Sequence, residues 1–85
     1  ELRARLLDNI GSAYNVVGPF EEAVNVVKES IAIRDQLYGK GSLGSALSWF
    51  HLGTAYYNMG RYREAAEAAG VAVAIREKHQ GPEHQ

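Results

Sequence analysis

The sequence predicts an all-α fold of four antiparallel helices, built as two copies of one helix-turn-helix unit. Apolar residues recur at three- and four-residue steps along the chain and nowhere alternate as in a half-buried strand. Glycines, twice followed by proline, interrupt those runs at the spacing of helix ends. The two halves of the chain are also near-copies. A shift of 42 positions, the distance from Gly11 to Gly53, lays Gly11-Ser12-Ala13-Tyr14 on Gly53-Thr54-Ala55-Tyr56 and Gly18 on Gly60. The same shift lays Glu22-Ala23 on Glu64-Ala65 and Ala32-Ile33-Arg34 on Ala74-Ile75-Arg76. Eleven aligned pairs are identical, against about three expected by chance at ordinary amino-acid frequencies.

The first helix, about 2–17, is carried by Leu6, Leu7, Ile10, Ala13, Tyr14 and Val17. Gly18-Pro19 ends it, because glycine accepts a left-handed backbone and proline suits the first turn of the next helix. The second helix, about 19–38, presents a broad apolar face of Phe20, Ala23, Val24, Val27 and Ile31. Gly39-Lys40-Gly41-Ser42-Leu43-Gly44 is too glycine-rich for a helix and reads as the connector. Either Ser45 or Ser42 is the N-cap of the third helix, about 45–59. Gly60 closes that helix, and the fourth, about 61–79, stops at Gly81-Pro82. Residues 1–42 and 43–85 are then two consecutive repeats. Gly11, Gly53, Ala23 and Ala65 are small where helix axes approach closely, and Tyr14, Phe20, Trp49, Tyr56 and Tyr62 are large where the gaps widen.

Composition narrows the function. Of the 85 residues, 46% are hydrophobic and 22% charged, with a formal net charge of −1 and no cysteine. Balanced, dispersed charge argues against nucleic acid and against an anionic membrane surface. No apolar run approaches the ~20 residues of a bilayer span. Without cysteine there is no disulfide, thiolate nucleophile or Cys-ligated zinc, and a cytoplasmic location is expected. The chain starts at Glu1 and not Met, so a piece of a longer protein is expected. Ser48 and His51 lie one turn apart with no acid to complete a triad. Glu21, Glu22, Glu64 and Glu67 sit near the starts of second helices, where they favour the helix dipole. His79, Glu83 and His84 straddle Gly81-Pro82 and make a poor metal set. The expectation is no enzyme, no metal and no cofactor.

The pattern Trp49-x-x-Leu52-Gly53-x-x-Tyr56, then Gly60, Tyr62-x-x-Ala65 and Ala72, resembles the tetratricopeptide repeat. The first half is similar, through Leu7, Ile10, Gly11, Tyr14, Gly18, Phe20, Ala23 and Ser30, with Leu7 in place of the tryptophan and Ser30 in place of the usual alanine. The longer period and the ending Ala74-Ile75-Arg76-Glu77-Lys78 … Gly81-Pro82-Glu83-His84 are similar to kinesin-light-chain-type repeats and bacterial multirepeat signalling proteins, with Pins-type polarity adaptors a second relative.

The resemblance implies part of a right-handed α-solenoid whose first helices line a concave groove for a peptide or partner helix. Carried over by position, the groove residues are Arg5, Asp8, Ser12, Asn15 and Val16 in the first repeat. In the second they are Leu47, Phe50, Thr54, Tyr57 and Asn58. Phe50 and Tyr57 would be the rigid anchors, and Asn15 and Asn58 the groups that bond a peptide backbone. The competing reading of Leu47 and Phe50 is packing against a neighbouring first helix. A chaperone-tail clamp of Lys and Asn is missing, and Asp8 would repel a terminal carboxylate. The paired asparagines of kinesin light chains are replaced by Phe50-His51.

The function expected is therefore an adaptor module that binds a protein or peptide partner, without nucleic acid or membrane. Two alternatives stand beside it. One is a homo-oligomer through helix four, where residues 65–74 are apolar on more than one face and Ala68, Ala69, Ala72 and Ile75 would form the contact. The other is a regulatory repeat domain of a larger bacterial signalling protein.

Overall fold

A computed structural model describes residues 1–80 as four helices: α1 Leu2–Val17, α2 Phe20–Tyr38, α3 Leu43–Asn58 and α4 Tyr62–Gln80. Among the described residues there is no strand. Short connections make successive helices antiparallel neighbours. α1 packs on α2, α2 on α3 and α3 on α4, and α1 also touches α3. The result is two helical hairpins side by side, with α1 and α3 adjacent along one side.

The turns follow from glycine. Gly18 and Gly60, in the same register of the two halves, have φ of 79° and 80°, which a side chain would strain. The Gly18 N–H caps the Tyr14 carbonyl at 2.6 Å, and Pro19 holds the N-cap position of α2 with φ −71°. α3 begins at Leu43, two residues ahead of the expected start, so Leu43 and Gly44 belong to the helix and Ser42 is its N-cap residue. Ser45 supports that first turn from within, its N–H and its Oγ–H both donating to the Ser42 carbonyl at 3.0 and 2.8 Å. The aliphatic stem of Arg34 lies over Gly44, its Cδ being 3.6 Å from where a Cβ would stand, an ordinary contact distance.

The core joins Ala23, Val24, Val27 and Ile31 of α2 to Leu52 and Ala55 of α3 and Ala68 of α4, with Tyr14, Trp49, Tyr56 and Met59 packed against it. Gly11 and Gly53 each sit at a close helix approach. A Cβ on Gly11 would lie 2.6 Å from Val27 Cγ2, and one on Gly53 would lie 3.1 Å from the Ala65 carbonyl oxygen. Tyr62 departs from the expected core role. It is exposed and meets the Tyr57 ring edge-on at 5.2 Å. Leu6 and Ile10 are also exposed, because their counterparts Ser48 and Leu52 face α2 and α1 has no described helix on that side.

Candidate partner-binding surface

The outward face of α3 carries Leu47, Phe50 and Tyr57 at three- and seven-residue steps, each more than half exposed. Thr54, half-buried between them, returns its hydroxyl to the Phe50 carbonyl at 3.1 Å and stays tied to its own helix. Phe50, Thr54, Tyr57, Tyr62 and Ala69 border an open cavity of about 460 Å³ between α3 and α4. A second cavity of about 460 Å³ continues past Phe50 to Leu43, Leu47, Val73 and Arg76. On the neighbouring helix Arg5, Ser12 and Val16 are exposed beside this face. A third cleft, about 480 Å³, lies away from α1 where Lys28, Glu64 and Glu67 rim a floor of Ile31, Trp49 and Tyr56.

Asp8 does not line the groove. It is buried, and its Oδ2 accepts from Arg34 Nη1 at 2.5 Å while Oδ1 accepts from Ser48 Oγ at 2.8 Å. Arg34 Nη1 also reaches Ser48 Oγ at 2.9 Å and Ser30 Oγ at 3.4 Å, and Nη2 donates to Glu1 at 3.1 Å. Ser30 donates in turn to the Ala4 carbonyl. Three helices thus share one internal ionic cluster, with Arg34 only 5% exposed. Burial, the largest single influence, works against the guanidinium charge, but the bonds to Glu1 and Asp8 outweigh it and raise the Arg34 pKa. The same Arg34 bond holds the Glu1 carboxyl below the usual carboxylate range. The family resemblance set Asp8 on the groove side, but an arginine from α2 turns it inward. A buried carboxylate needs such a partner.

The asparagines are engaged too. Asn15 Nδ2 donates to the His51 carbonyl at 3.1 Å, and Asn58 Nδ2 donates to the Asn15 carbonyl at 3.1 Å. Both amides therefore stitch α1 to α3, each using one of its two N–H donors for that purpose. The self-association residues are likewise displaced: Ala68, Ala72 and Ile75 are buried, since α4 turns this stripe to α3, and Ala69 is half-buried at the cavity edge. Ser48 is fully buried within the ionic cluster, out of reach of a substrate. Among the described residues no group of three His, Cys, Asp or Glu could hold a metal, and His79 instead meets the Gly41 carbonyl at 3.0 Å. Glu83, His84 and the Gly81-Pro82 stop lie outside the described residues. No helix among the described residues is long and apolar enough to cross a membrane.

Paired helical hairpins with a glycine at each close approach and a row of exposed apolar side chains define a helical-repeat interaction module. The tetratricopeptide repeat family matches residues 2–78, and the chain belongs to that family. Tetratricopeptide repeats mediate protein–protein interaction and are typically scaffolds without catalytic activity. No curated protein and no solved structure gives a significant match to the chain.

Proposed function

We propose that this chain is a non-catalytic adaptor module that holds a peptide or helix of a partner protein against the α3 face, between Leu47, Phe50 and Tyr57 and the exposed residues of α1. One observation carries this reading. Three large apolar side chains stand in water along a single helix face, beside cavities that could receive a partner's side chains. Arg5, Ser12 and Val16 supply the opposite bank, and Thr54 and Asn58 keep polar oxygens near its floor. A cytosolic setting accords with the cysteine-free sequence.

The test is selection of binding peptides from a display library, followed by titration against the chain carrying Phe50→Ala and Tyr57→Ala. Both rings are exposed, so the helical circular dichroism should persist. Loss of two aromatic anchors should weaken binding at least about thirtyfold. Unchanged affinity for every selected peptide would refute the assignment.

A further inference from the structure

We infer that the cleft between α2 and α4 binds a small extended zwitterion of the ω-amino-acid class, its ammonium on Glu67, its carboxylate on Lys28 and its apolar stem on Trp49. The inference goes beyond the α3-face reading, because the cleft opens on a different face of α4. It shares no lining residue with the cavities beside Phe50.

The cleft follows from the order of the helices. α2 and α4 both pack on α3 and do not approach each other, so a gap of about 480 Å³ stays open between them. That is the size of a small-molecule site. Its floor is the half-buried pair Trp49 and Tyr56, flanked by Ile31 of α2 and Val71 of α4. An apolar stem laid on this floor exchanges water for an aromatic ring and two aliphatic side chains. Stacking of a further hairpin would leave the cleft open. α3 meets α2 through Val27, Ile31 and Arg34, and 42 positions on those residues become Ala69, Val73 and Arg76. None of these three lines the cleft.

The two banks carry opposite charge, Lys28 on α2 and Glu64 and Glu67 on α4. Glu64 is already engaged: Arg61 pairs with it at 2.9 Å while the same guanidinium stands 5.5 Å above the Tyr56 ring. Lys28 and Glu67 remain, both exposed and, among the described residues, without an ion-pair partner. Arg63, one turn before Glu67, makes no pair with it. Opposite charges on the two sides of an apolar floor match a ligand with the complementary charges at the ends of an apolar stem. A simple cation would meet Lys28 as a like charge, and a simple anion would meet Glu67 as one. An α-amino acid holds both charges on one carbon and cannot span banks that stay apart.

The test is calorimetric titration of the chain with ε-aminocaproate, hexylamine, hexanoate and norleucine. Emission from Trp49, the one tryptophan, gives the local readout. ε-Aminocaproate should bind at least about fivefold more tightly than the other three and should shift that emission. Lys28→Glu should transfer the preference to hexamethylenediamine, and Glu67→Lys should transfer it to adipate. The two changes together should restore ε-aminocaproate, reversed in the cleft. Both side chains are exposed, so helical circular dichroism should persist in each variant. Phe50→Ala with Tyr57→Ala should leave the affinity for ε-aminocaproate unchanged, so the two sites fail separately. Equal affinity for ε-aminocaproate and hexylamine, or no binding of ε-aminocaproate, would overturn the inference. So would a double exchange that does not restore binding, or its loss with Phe50 and Tyr57.

Discussion

Replacing Asp8 by alanine tests the internal ionic cluster directly. The side chain accepts from Arg34 at 2.5 Å and from Ser48 at 2.8 Å in a site where the arginine is 5% exposed. Removing one partner of such a buried pair costs about 3–5 kcal/mol. Glu1, bonded to Arg34 Nη2 at 3.1 Å, remains and returns one hydrogen bond's worth, about 1 kcal/mol. The net expectation is a loss of about 2–4 kcal/mol, against a total of about 4–13 kcal/mol for a domain of this length. At about 4–8 °C per kcal/mol for a small domain, Tm should fall by at least about 8 °C, read by circular dichroism at fixed protein concentration. Replacing both partners, Asp8→Leu with Arg34→Met, should recover much of the loss, because no orphaned charge remains. The cycle should then show a coupling of about 2 kcal/mol. An Asp8→Ala change within about 0.5 kcal/mol of the parent, the range of an ordinary surface substitution, would refute the buried-pair account and return Asp8 to the groove.

Further outcomes follow from other positions. Gly11→Ala should destabilise by about 1–3 kcal/mol despite better helix propensity, since its Cβ would stand 2.6 Å from Val27 Cγ2. Gly70→Ala should stabilise by about 0.5–1 kcal/mol, because nothing lies within 4 Å of the new Cβ, and urea titration of the two variants should move in opposite directions. The Glu1 carboxyl is held down by its bond from Arg34, so its contribution is present above the ordinary value near 4.5 and is lost as pH falls through the lowered folded value. The Tm difference between the parent and Glu1→Gln should therefore be constant above that range and shrink below it. A difference that grew toward acid pH would contradict the assignment.

Four helices and their order were legible because glycine and helical periodicity are local signals. Gly18 and Gly60 carry the positive φ that ends a hairpin turn, Gly11 sits where a Cβ would clash with Val27, and Gly53 where one would crowd the Ala65 carbonyl. The burial of Asp8 was not local. Its partners come from α2 and α3, 26 and 40 residues away, and helical spacing alone cannot report a charge arriving from another helix. A signal existed in the repeat comparison: Arg34 and Arg76 are identical, but Asp8, Ser30 and Glu1 have no polar counterpart in the second half. The α4 stripe failed for a different reason. A helix apolar on more than one face does not reveal which face it hides, and Ala68, Ala72 and Ile75 turned out to be the hidden one.

The order of the four helices also decides where the molecule gives way. Among the described helices α2 is gripped by α1 and α3 together, whereas α4 leans on α3 alone. In a stack of this kind each unit is held by its immediate neighbours, so a helix with one neighbour opens more readily than one with two. Thermal fraying thus begins at α4, and amide hydrogens there exchange sooner than those of α2. Anything that clasps α4 from its free side stiffens the softest part of the protein, and part of its binding energy goes into that ordering.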